Sequence, residues 1–575
     1  MRLENFYLSV WFLGKSGLTG TLEADFAIKR FYFRYTDKFS ELCSKQKCNA
    51  MKRFVSMLTV LLALGACNNQ EGPEGNPSQA PEATTLYHGM IQLGEKLEDP
   101  YTVENMRAAL TKAYPTKAER IDITATDLYV RFLPADDAQL KELEALGLYL
   151  MDHPMDYQIV REGDYYQDPD VGEEAITWQY AVVPQDFVFP EGIRYELLDE
   201  CYLSEHDPTT RGDLGIDWDL VEREAFRLTG NEDLLAPQTK GPSAAPSGRI
   251  TIEDPNFSGG KPFGVSGVKV VCNIFIKIAT CHTDRDGYYQ MEKKFSGNPR
   301  YRIVFQNDKG FCIGFNWIIV PASVSTLGKA EPQGMDVHVN TESDAALFRR
   351  CVVNNAAYDY LSRCTDTDLA ITPPPGDLRF WIFPDLSSSS TCMLHHGAFL
   401  NNALIQAYLG GWAALIKLFL PDITIGTKED GYEDIYSAVV HEMAHASHYA
   451  KVGNNYWTPY IEYVIASFIG EGHQAYGSGN GEKAGYCEVG EMWAYFMQST
   501  LMKDRYSGSL MHFGNMHWFK PDILLYLYER GMSRAEIFHA LSGDVTSIDD
   551  LRDQLVALYP DREKLIVETF REYGK

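Results

Sequence analysis

Residues 441–449 constrain this chain more than any other stretch. Within them His441, Glu442 and His445 spell H-E-x-x-H. On a helix, residues i and i+4 project from one face, so both imidazoles can reach a single ion. Glu442 then lies beside any water held on that ion. The flanks favour a helix. Acidic Glu429, Asp430, Glu433 and Asp434 open it, and Lys451 and Gly453 close it. Ile435, Val439, Val440, Met443 and Ala446 can all turn inward, which predicts a buried helix. The bland alternative is an ordinary amphipathic helix with solvated His and Glu. Burying two unpaired imidazoles and a carboxylate is costly, so burial argues for a metal.

A catalytic zinc takes three protein ligands and keeps one position open for water. A Gly-rich loop at residues 477–485 is followed by a second helical stretch. There Glu491-Met492-Trp493-Ala494 resembles the E-x-[FW]-A segment of gluzincins, zinc peptidases whose third ligand is a helical glutamate. The resemblance implies that Glu491 joins His441 and His445 on zinc, that Glu442 is the general base, and that peptide bonds are hydrolysed. Glu488 is the rival ligand, or else a partner for a ligating His. His448 is a weaker rival, because one continuous helix poorly supplies three tetrahedral ligands. The metzincin pattern fails, since position 448 is His instead of Gly and residue 451 is Lys. Tyr495, His512 and His517 are candidates to stabilise the oxyanion, with surface or structural roles open for the two histidines.

Residues 51–67 read as a targeting signal. Lys52 and Arg53 precede an apolar run over residues 54–64, too short to span a bilayer permanently. Leu64-Gly65-Ala66-Cys67 then matches a bacterial lipobox, which implies a lipidated Cys67 and a protein anchored in the cell envelope, at the outer membrane or cell surface. Met51 opens this signal, so residues 1–50 read as a non-native upstream extension. Residues 68–85, rich in Asn, Gln, Glu, Gly and Pro, suit a tether. The formal net charge of −27 argues against nucleic acid and anionic lipid surfaces as partners.

A chain of 575 residues implies several domains. The expected class is multidomain α+β, with an N-terminal α/β region, a middle β-sandwich and a C-terminal, mainly helical zincin-like part. Residues 86–231 read as an acidic α/β accessory domain, a binding, shielding or spacer unit. It has helices at 103–114 and 137–148, strands at 127–132 and 178–183, and loops at 162–170 and 196–207. Residues 232–248 suit a linker. Residues 249–327 read as all-β. Val265-Ser266-Gly267-Val268 and Thr283-Asp284-Arg285-Asp286-Gly287-Tyr288-Tyr289 resemble the carboxypeptidase regulatory-like, transthyretin-type sandwich. The Asp284-x-Asp286-Gly287 echo of a calcium loop lacks the closing Glu, so a plain turn is expected.

Residues 335–575 read as the metallopeptidase domain, with a helix at 345–361, strands at 380–383 and 423–425, and a helical tail at 521–573. In gluzincins an edge strand before the zinc helix pairs with extended substrate. By that resemblance residues 423–426 are a substrate rail, with an ordinary core strand as the alternative. Cys272 with Cys281, and Cys351 with Cys364, are candidate disulfides. The competing class is a non-catalytic adhesion or binding lipoprotein with a structural zinc. Intact Glu442 argues against it, since a purely structural site needs no base.

Overall fold

The computed structural model describes residues 89–172, 175–211, 215–235, 243–314, 322–342, 344–364, 369–397, 421–429, 431–470 and 476–574. The expected upstream extension, the signal at 51–67 with Cys67, and the tether lie outside the described residues. So do Asp430 and residues 236–242 of the expected linker. The fold is mixed α+β, with a helical C-terminal region.

The N-terminal region begins with strand β1 (Gln92–Lys96) and helix α1 (Val103–Ala113). Thr102 caps α1, its side chain accepting from the Asn105 N–H. Then come β2 (Asp127–Leu133), α2 (Asp137–Ala145) capped by Asp136, β3 (Tyr157–Arg161), β4 (Gln179–Pro184), β5 (Arg194–Cys201) and α3 (Trp218–Leu228). Strands β4, β2 and β5 form an antiparallel sheet with β2 central, and β1 pairs with β3. Strand β5 corrects the loop expected from residue 196. Its Glu and Asp residues are tolerated because it is an edge strand, with Tyr195 and Leu197 left exposed. Helix α2 stops at Ala145, three residues before the expected end.

The middle region is all-β, as the alternation predicts. It comprises β6 (Ser247–Ile252), β7 (Phe263–Gly264), β8 (Val268–Ile274), β9 (Lys277–His282), β10 (Tyr288–Gln290), β11 (Arg300–Asn307), β12 (Phe311–Ile313), β13 (Val324–Lys329) and β14 (Val337–Val339). A small sheet runs β10-β6-β14, with β7 also on β6. The turn before β10 is a plain one. Asp284 accepts from the Asp286 and Tyr288 N–H groups, and Gly287 has φ +83°. A Cβ there would stand 2.1 Å from the Ile250 carbonyl oxygen, so only glycine fits.

The C-terminal region adds α4 (Ala345–Cys364), β15 (Leu378–Phe383), β16 (Ser390–Thr391), β17 (Ile423–Gly426), α5 (Tyr432–Val452), α6 (Asn454–Gly470) and α7 (Ala484–Tyr506). Four further helices follow: α8 (Asp522–Glu529), α9 (Arg534–Ala540), α10 (Ile548–Leu558) and α11 (Glu563–Glu572). One eight-stranded sheet, ordered β16-β17-β15-β12-β11-β8-β9 with β13 on β11, runs through the middle and C-terminal regions. The join is the parallel pairing of β12 with β15. Helix α5 packs against α4 and α7, in a core that includes the fully buried Trp457 and Trp493.

Two expectations about this region change. Strand β17 pairs with β15 on one side and β16 on the other, so it is an inner strand and its backbone offers no open rail. Neither candidate disulfide, Cys272 with Cys281 or Cys351 with Cys364, is formed. Cys351 and Cys364 both lie on α4, thirteen residues and so about 20 Å apart along its axis, beyond any disulfide. Cys281 stands opposite Val270, not opposite Cys272.

Candidate metal centre

Helix α5 forms where expected, from Gly431 as N-cap to Gly453, whose φ of +72° ends it. Its residues Tyr432, Ile435, Tyr436 and 438–449 are buried except at the half-buried Ser437. Such a helix takes His441, Glu442 and His445 into the interior with it. Helix α7 crosses close by, locked where the Trp493 Nε1–H donates to the Ala444 carbonyl at 3.0 Å. That contact brings Glu491 to the two histidines.

The three side chains converge. His441 Nε2 lies 3.5 Å from Glu491 Oε2, and His445 Nε2 lies 3.4 Å from Glu491 Oε1. Donor atoms of all three lie within 4.8 Å of one another, and each residue is buried. Among the described residues no other group of three or more His, Cys, Asp or Glu has this spacing. Glu488, although buried one turn earlier on α7, stands outside the group. His448 stands outside it too, its ring edge-on to Tyr456 at 4.8 Å. Burial pushes His448 down to about 3, so it is neutral at ordinary pH.

The surroundings set which atoms face inward. The Gln498 Nε2–H donates to Ser437 Oγ at 2.8 Å, which turns Oε1 of the amide toward His441 Nδ1 at 2.9 Å. His441 therefore donates through Nδ1 and keeps a lone pair on Nε2, the atom nearest Glu491. Tyr460 of α6 donates to Glu491 Oε1 at 2.5 Å. His441 Nε2 and both nitrogens of His445 have no hydrogen-bond partner among the described residues. Buried polar atoms in this state fit a group that could hold a metal ion.

The electrostatics agree. Burial pushes His441 down, but the Glu491 carboxylate 3.5 Å away, with Glu442 beside it, outweighs burial and raises its pKa. Burial favours the neutral form of Glu491 too, yet the His445 and His441 rings hold it far below the usual carboxylate range. A cation between these groups replaces that mutual stabilisation. Glu442 is different. Burial raises its pKa, opposed by the adjacent histidines and by Thr391. The Thr391 hydroxyl, on edge strand β16, lies 2.8 Å from Glu442 Oε2 and 2.7 Å from its carbonyl oxygen. Oε1 is left without a partner among the described residues.

No protein-family model, curated protein or solved structure matches this chain. The site is therefore read from its own geometry. Of the three oxyanion candidates, Tyr495 lies edge-on to the His441 ring at 4.6 Å. His517 stacks on Phe519 at 4.7 Å and feels the charges of Glu491 and His441. His512 does not join them. It lies 3.5 Å from Glu529 and 3.9 Å from Asp522 in the helical tail. Thr391, Tyr460 and Gln498 are contacts the motif did not reveal. Gln498 alone had a sequence signal, two turns beyond Glu491 on the same helical face.

Proposed function

We propose that this chain is a zinc metallopeptidase, exported and lipid-anchored through Cys67 in a bacterial cell envelope, acting on protein or peptide substrates. The convergence of His441, His445 and Glu491 carries the reading. Bonds of about 2.0–2.1 Å in a tetrahedral zinc site put ligand atoms roughly 3.3–3.4 Å apart, close to the two separations of 3.4 and 3.5 Å between ring nitrogens and carboxylate oxygens. Three protein ligands leave a fourth position for water, the arrangement of catalytic and not of structural zinc.

His441, His445 and Glu491 would hold the ion. When bound, zinc supplies Lewis acidity and lowers the pKa of water at the open position. Glu442 would take a proton from the attacking water and later deliver it to the leaving amine. Thr391, bonded to Oε2, fixes the carboxylate and leaves Oε1 for the transfer. Tyr460 and Gln498 hold Glu491 and His441 in their ligating orientations. Tyr495, edge-on to the His441 ring, and His517, which feels the charges of Glu491 and His441, are the candidates to stabilise the oxyanion. Metal analysis tests the assignment. The protein should carry one zinc per chain, and His441→Ala or His445→Ala should remove it. Loss in Glu491→Ala with retention in Glu488→Ala supports the ligand set, and the reverse pattern overturns it.

A further inference from the structure

A second site lies away from the metal centre, where the N-terminal region covers the large sheet. Register pairs Val271 of β8 with Arg302 of β11, and Lys269 with Val304. These four side chains therefore emerge on one face of the sheet. Segment 147–153, helix α2 and residues 322–324 close over that face around a cavity of about 190 Å³. Leu140, Leu148, Val304 and Val324 give it apolar walls; Lys269 and Arg302 bring two positive charges, and Glu144, Asp152 and Asp164 also line it.

Both cations have neutral partners. Arg302 is only 3% exposed. Its Nη1 donates to Asn273 Oδ1 at 3.0 Å, and its Nη2 donates to His153 Nε2 at 3.0 Å. His153 in turn donates from Nδ1 to Asp152 at 2.6 Å, and Asp152 also accepts from the Tyr166 N–H. Lys269 Nζ donates to Gln306 Oε1 at 2.5 Å. Among the described residues neither cation has a carboxylate within ion-pair distance. Asp164 lies 3.6 Å from Arg350, and Glu144 acts on Lys269 only at longer range. Burial lowers Lys269 and pushes Arg302 down to about 10, the mark of cations lacking close compensation.

A buried arginine and a half-buried lysine without a close carboxylate, on the wall of a cavity with apolar sides, are the complement of an amphiphilic anion. We propose that this cavity binds a small monocarboxylic acid, its carboxylate between Lys269 and Arg302 and its apolar tail against Leu140, Leu148, Val304 and Val324. The volume equals about six waters of liquid, which suits a tail the size of a pentyl or phenyl group. Nothing in this assignment depends on the metal centre.

Calorimetry of the purified full chain tests it, with hexanoate as probe and hexanol as its neutral counterpart. Hexanoate should bind saturably at one site, and hexanol at least tenfold more weakly. Lys269→Met should weaken hexanoate at least tenfold and raise the melting temperature of the ligand-free protein, because a half-buried cation without a close carboxylate is removed. Leu148→Trp, which fills the cavity and keeps both charges, should abolish binding. Absence of saturable hexanoate binding overturns the proposal, as does equal binding of hexanol. So does a lower ligand-free melting temperature in Lys269→Met, since Lys269 would then already be compensated in the empty cavity.

Discussion

At the scale of single residues, the candidate metal centre depends on side chains outside the His441, His445 and Glu491 triad. Gln498 is bonded to Ser437 on one side and His441 on the other, and so fixes one imidazole tautomer. Gln498→Leu should lower zinc affinity about 10–100-fold. Competition with a fluorescent chelator measures this, and Gln498→Glu, which keeps an acceptor, should retain most of the affinity. A different buried group gives a pH signature. Asp99 is held by the Tyr101 N–H, and burial raises it to about 7, helped by Asp156 and Asp199. Folded Asp99 thus binds its proton more tightly than the unfolded chain, whose ordinary value is 3.8. Its contribution is most favourable below about pH 4 and is lost as pH rises to about 7. Asp99→Asn should therefore stabilise the protein by about 1–3 kcal/mol at pH 8 and by little at pH 4. Denaturant unfolding at the two pH values decides it.

At the scale of elements, Arg505 near the end of α7 ties three pieces of chain together. Its guanidinium lies 4.0 Å from the Phe257 ring, 4.6 Å from Tyr436 and 4.9 Å from Tyr432, and 3.2 Å from the Asp254 carboxylate. Asp254 is wholly buried, with the Tyr506 hydroxyl and the Asn256 N–H as its other donors. Arg505→Ala leaves that buried carboxylate without its counter-ion and should cost about 3–5 kcal/mol, with Arg505→Lys in between because it keeps charge but loses planar stacking. Urea midpoints measure both. None of this was legible in the sequence, because Asp254 and Arg505 lie far apart along the chain. Helix α5 was legible, because its acidic start, glycine stop and apolar periodicity all agree. Strand β5 was not. Edge strands bury little, so Glu196, Asp199 and Glu200 disguised it as a loop. The covering of β17 by the two-residue β16 also escaped notice, since so short a strand leaves no periodicity. The triad itself needed only local signals, whereas Thr391 and Tyr460 reach it through tertiary packing.

At the scale of the whole molecule, the large sheet joins the middle and C-terminal regions through β12 and β15. A fragment spanning residues 335–575 would lose β12 and everything beyond it, exposing β15 as an unpaired parallel edge. Such a fragment should fail to give a cooperative thermal transition by circular dichroism. A sharp melt would show that the β12 pairing is dispensable. Separate regions were expected from composition shifts along the chain, but hydrogen bonds between strands ignore those shifts.

The central claim is that Glu442 is the base of a zinc peptidase. Glu442→Gln keeps the side-chain shape and removes the base, leaving His441, His445 and Glu491 to hold the ion. Zinc content of the variant should equal that of the wild type, while hydrolysis of a diverse peptide library should fall by at least ~10²–10⁴-fold. Equal cleavage by the two proteins, or zinc-loaded wild type that cleaves nothing, would contradict the account.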